Sequence, residues 1–117
     1  MKALLIVTAS MIAGVAHAEA PETTKDLQCM VAYSYHLGTT EDVAAKASLA
    51  VGLFYYQGRI EGREPGLDFP PAFKRELYGM SDEAIDAAMT RCVAAVQARS
   101  QQMQAIAKDV EADAARP

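Results

Sequence analysis

Asp26-Leu27-Gln28-Cys29-Met30-Val31-Ala32-Tyr33-Ser34-Tyr35-His36-Leu37-Gly38 is the stretch from which the fold can be read. Leu27, Met30, Val31 and Tyr35 recur at helical spacing, and Cys29, Tyr33 and Leu37 form a second stripe beside them. So wide an apolar arc predicts a helix, starting near Thr24 or Asp26, that packs on more than one side. Gly38 is placed to end it, because glycine tolerates the left-handed conformation at C′.

Toward the C-terminus, Thr39-Thr40-Glu41-Asp42 offers a capping hydroxyl followed by acids that suit the positive end of a helix dipole. A second helix is expected from Val43 to Tyr56, with Ala47, Ala50, Val51 and Phe54 on its inner face, as the central and most buried element. Gly58 to Gly62 should end it, and Pro65-Gly66 marks a turn. Pro70-Pro71 can occupy a helix start, which predicts a short helix over Ala72 to Tyr78, closed by Gly79, with Phe73 and Leu77 turned inward. Ser81-Asp82-Glu83 caps the longest helix, whose Ile85, Ala88, Met89, Cys92, Val93 and Val96 keep core register. Met103, Ile106 and Val110 continue a thinner stripe through a polar C-terminal tail, the last turns of which should fray. No period-2 alternation appears, so the expected fold is all-α: a small bundle of three longer helices and one short one.

Toward the N-terminus, the reading changes from fold to address. Lys2, an apolar run from Ala3 to Val15 and Ala16-His17-Ala18 together read as a cleavable signal peptide over residues 1–18. The run is too short for a spanning helix and polar chain follows at once, so no stable membrane insertion is expected after cleavage. Glu19 to Lys25 should be a flexible lead-in, with residues 26–117 forming the helical domain. An exported chain reaches an oxidising compartment, and the two cysteines, Cys29 and Cys92, admit one intramolecular disulfide across 62 intervening residues. Such a closure is worth about 4 kcal/mol in the chain-entropy model. The expected localisation is periplasmic or secreted.

Beyond Ala18 the chain carries ten Lys and Arg against fifteen Asp and Glu, a formal charge of −5, which argues against nucleic acid and anionic membranes as partners. No motif compels a reaction. His36 is the one histidine beyond the signal peptide, Cys-x-x-Cys-His is absent, and haem held by His36 and a methionine competes with plain core filling by Met30, Met80, Met89 and Met103. No serine stands in a nucleophile elbow, and the paired acids Glu41-Asp42 and Asp82-Glu83 sit where helix starts favour them. The expectation is a non-enzymatic chain with no catalytic residue, metal or cofactor.

The most distinctive segment is Phe54 to Arg63. Tyr55, Tyr56, Arg59 and Arg63 form a candidate binding patch for a carboxylate, peptide or glycan, because guanidinium forks bind anions and tyrosines give rigid amphipathic surface. The structural alternative puts the aromatics in the core and the arginines at the helix C-terminal carbonyls.

A signal peptide, an all-helical mature domain of this length and one disulfide from an early to a late helix resemble the small periplasmic acid-stress chaperones of the HdeA/HdeB type. Wider cysteine spacing and the polar tail after Gln97 depart from that pattern. The order Cys29, Tyr55-Tyr56-Gln57-Gly58-Arg59, Cys92 also resembles that of functionally unassigned exported proteins of alphaproteobacteria. The chaperone resemblance implies a holdase-like stress protein that meets other periplasmic proteins, with helix Ala44 to Tyr56 as its client surface. A small-ligand or partner-binding module built on Tyr55 to Arg63 is the alternative.

Overall fold

The computed structural model describes residues 19–117; the expected signal peptide lies outside the described residues. Among the described residues there are four helices and no strand: α1 (Pro21–Thr39), α2 (Val43–Arg63), α3 (Phe69–Gly79) and α4 (Asp82–Ala114). The all-α bundle is therefore as the periodicity predicts, and Cys29 and Cys92 are bonded, with Cα atoms 5.7 Å apart.

The central helix is α1, not α2. Leu27, Cys29, Met30, Val31, Ala32 and Tyr33 are all buried, and α1 packs against each of the other three helices. By contrast, α3 packs on α1 alone, and α2 meets α4 only briefly. The two stripes on α1 account for this: one face takes α2, and the rest takes α3 and α4.

The inner face of α2 is also turned from the expected one. Leu49, Gly52, Leu53, Tyr56 and Ile60 face the core, while Val51 and Phe54 are 63% and 68% exposed. Burying the stripe that ends in Tyr56 and Ile60 removes more apolar area from water than burying one rich in alanine. Gly52 sets the approach of the two helices: a Cβ at this position would overlap the Tyr33 ring. Tyr33 thus lies flat across a notch in α2.

Gly38, Gly58 and Gly62 do not stop their helices. No glycine among the described residues has positive φ, and α2 runs through both of its later glycines to Arg63 because Ile60 is buried beyond the first of them. Asp42, rather than a threonine, caps α2, its carboxylate accepting the Ala45 N–H at 2.6 Å. Ser81 caps α4 as expected. α3 starts three residues early, at Phe69, and Phe69 stacks on Phe73 while Leu77 reaches the surface.

The lead-in is not loose. Helix α1 starts at Pro21, Thr23 is fully buried, and Arg75 of α3 holds both oxygens of Glu19 at 2.8 and 2.9 Å. The Ala20 N–H donates to Glu64 at 2.7 Å, so the chain before α1 is fixed between α3 and the end of α2. At the other end, α4 runs on through the turns expected to fray, as far as Ala114, and every residue from 97 onward is exposed.

Candidate functional site

Of the four patch residues, one belongs to the core. Tyr56 is 3% exposed and donates its hydroxyl hydrogen to the Cys92 carbonyl at 2.9 Å, tying α2 to α4 beside the disulfide. Burial pushes its phenol up to about 12, with the neighbouring Tyr33, Tyr55 and Asp26 adding to the rise and Arg59 opposing it. Tyr56 cannot face a ligand in this fold.

The two arginines already bind a carboxylate, and it is the chain's own. Arg59 donates from Nε to Asp26 Oδ2 at 3.0 Å, and Arg63 reaches the same oxygen at 3.1 Å. Arg63 also donates to the Thr23 hydroxyl at 3.3 Å. The Asp26 side chain is only 6% exposed, against 39% and 28% for its two partners. A buried carboxylate needs this degree of satisfaction, since charge taken from water unpaired costs several kcal/mol. The arginines are one turn apart on α2 and so converge on a single oxygen of α1.

Tyr55 closes the outer side. Its hydroxyl accepts from Arg59 at 3.3 Å, and the guanidinium sits 5.7 Å from the ring centroid. Burial alone would raise the Tyr55 phenol, but hydrogen bonds from Arg59 and Arg99 outweigh it and leave it below the ordinary value. Arg59 is in turn held more firmly protonated, chiefly by its hydrogen bond to Asp26. Glu22, Lys25 and Arg91 stand around a shallow cleft of about 180 Å³ over this cluster.

Asp26 is the member of this site that the sequence did not single out. Near a helix start it reads as an ordinary first-turn acid. The available signal was its register: it falls three residues after Thr23 and four before Met30, on a face that is otherwise closed.

Elsewhere, His36 faces Asp86 of α4 at 3.7 Å. Among the described residues no three His, Cys, Asp or Glu side chains gather as metal ligands, and no helix is long and apolar enough to cross a membrane. A wider open cleft, about 920 Å³, lies between Glu19-Ala20, the α2–α3 loop and α3, with Leu67 and Pro71 in its wall and Arg63 and Arg75 at its rim. Both rim arginines are engaged in ion pairs. Comparison with protein families, with curated proteins and with solved structures finds no match to this chain.

Proposed function

We propose that this chain is a non-enzymatic interaction protein of the periplasm, holdase-like, which engages other exported proteins through the outer face of α2. The observation that carries the reading is the pair Val51 and Phe54, large apolar side chains left more than half exposed one turn apart on a helix whose opposite face is packed. Val43, 80% exposed, extends the same helix surface toward its start. Arg59 and Arg63, further along α2, are engaged with Asp26, and the disulfide suits an oxidising compartment.

Acid would enlarge the surface. In acid the chain's carboxylates as a class lose charge while the ten Lys and Arg beyond Ala18 keep theirs, so self-repulsion opposes the compact state, and Arg59 and Arg63 bring two of those cations together at the α1–α2 contact. Lys25 and Arg91, around the same cleft as Arg59, add to the repulsion. The contact between α1 and α2 weakens, and Leu49, Leu53 and Ile60 become available beside Phe54.

The test is suppression of a client protein's aggregation, with apolar-dye binding, at neutral pH and near pH 2.5. Both should rise in acid and reverse on neutralisation, and Val51→Ser/Phe54→Ser should halve the suppression without changing thermal unfolding. A protein that stays folded and inert toward the client at both pH values ends this reading.

A further inference from the structure

The apolar register of α4 does not stop where the domain stops. Ile85, Met89, Cys92 and Val96 lie along the seam that α4 presents to the core, and the same alternating steps of three and four lead to Arg99, Met103, Ile106, Val110 and Asp113. The first part is covered by α1 and α2. The second has no cover among the described residues: Met103, Ile106 and Val110 are 56%, 46% and 62% exposed. Residues 97–114 form a rod about 27 Å long that extends past the start of α1. Most helical stability in proteins comes from tertiary packing of an apolar face, and this stretch has none among the described residues.

We propose that residues 97–114 pair with the same segment of a second copy of this chain as an antiparallel two-helix coil. Charge decides both the occupant and the direction. The seam is bounded by a cation at one end, Arg99, and an acid at the other, Asp113, with Asp109 flanking it. Antiparallel pairing that sets Met103 of each chain over Ile106 of the other brings each Arg99 opposite Val110 and within one turn of Asp113 of the other copy. A parallel pair would oppose Arg99 to Arg99 and Asp113 to Asp113. Along the edges, Gln102 then meets Asp109, and Ser100 meets Ala107, small enough for close approach.

The monomer's own contacts leave these ends free to turn. Asp113 is held by Arg116 in an exposed pair at 3.2 Å, the kind that contributes little. Arg99 donates to Gln102 at 2.7 Å on its own helix, and its charge is near enough to the Tyr55 hydroxyl to lower that phenol. The seam has few apolar layers, so the dimer sits at the weak end of the affinity range, micromolar or above. It uses none of the α2 surface assigned to clients, and the two readings stand or fall separately.

The experiment is sedimentation velocity on the oxidised protein from an exporting host, from about 1 µM to about 500 µM. A dimer should appear across that range, and Ile106→Lys should weaken it about tenfold or more while leaving thermal unfolding of the domain unchanged. Arg99→Glu and Asp113→Arg should each weaken it about threefold or more, and the double variant Arg99→Glu/Asp113→Arg should return to within about twofold of the starting affinity. A monomer throughout, a dimer indifferent to Ile106→Lys, or a double variant weaker than either single change would each overturn the proposal.

Discussion

Arg59 on α2 donates to Asp26 on α1 at 3.0 Å, and the carboxylate that receives it is nearly shut off from water. Two guanidinium groups on one oxygen make Asp26 the electrostatic fastener between these helices. Asp26→Asn keeps the shape and removes the charge, leaving both cations against a neutral amide. The expected loss is about 2 to 3 kcal/mol by urea unfolding, less than for a fully buried pair because both arginines reach water. Arg59→Ala and Arg63→Ala should each cost about 1 kcal/mol, since Asp26 keeps one partner. A loss under about 0.5 kcal/mol for Asp26→Asn would show that the helices are held by packing alone.

Gly52→Ala gives a prediction whose sign is informative. In an exposed helix interior the change would stabilise by about 1 kcal/mol. At this position the new methyl group meets the Tyr33 ring, so the expected outcome is a destabilisation of about 1 to 3 kcal/mol. Tyr33→Leu in the same chain should recover part of it. A stabilised Gly52→Ala variant would mean that Tyr33 does not lie in the α2 notch.

Alkali should act through Tyr56. In the unfolded chain a tyrosine ionises near 10.0, whereas folded Tyr56 is pushed up to about 12 by burial. Between those values the folded state holds the extra proton, so this contribution is intact below pH 10 and drains away as pH rises toward 12. Tyr33 is raised by burial in the same sense. Urea midpoints measured across this range should fall, and Tyr56→Phe should flatten the fall while costing about 1 kcal/mol at neutral pH through the lost bond to the Cys92 carbonyl. In phenolate absorbance, Tyr55 should titrate before Tyr56.

Reducing the disulfide, or replacing both cysteines with alanine, should lower stability by about 4 kcal/mol, a large share of what a domain of this size possesses. The midpoint of thermal unfolding should drop by more than about 15 °C. A drop of a few degrees would mean that α1 and α4 hold each other without the bond.

The local features were legible and the distant ones were not. Two apolar stripes from Leu27 to Leu37, the Ser81 cap and a pair of cysteines are patterns complete within one or two turns, so periodicity and cap chemistry suffice to read them. Asp26 could not be read in this way, because its partners lie 33 and 37 residues along the chain. The same applies to Glu19, which looks like the tip of a loose end until Arg75, 56 residues later, is brought beside it. The turned face of α2 has a subtler cause: Tyr33 needs a residue without a side chain opposite it, and Gly52 supplies one, so the helix rotates to offer it. Arg59 and Arg63 were visible as a pair of cations, but their ligand was within the fold rather than outside it.

The bond between Cys29 and Cys92 also decides how far the molecule can come apart. Helices α2 and α3 both lie inside the covalent ring it closes, while the exposed half of α4 lies outside. Were α2 to peel from α1, the ring would cap the excursion: the chain would swell without stretching out, because Cys29 and Cys92 stay covalently joined. The way back from such an opening would be a short intramolecular search rather than a fresh collapse from a random coil, so the proposed reversal on neutralisation would follow from the chain's topology.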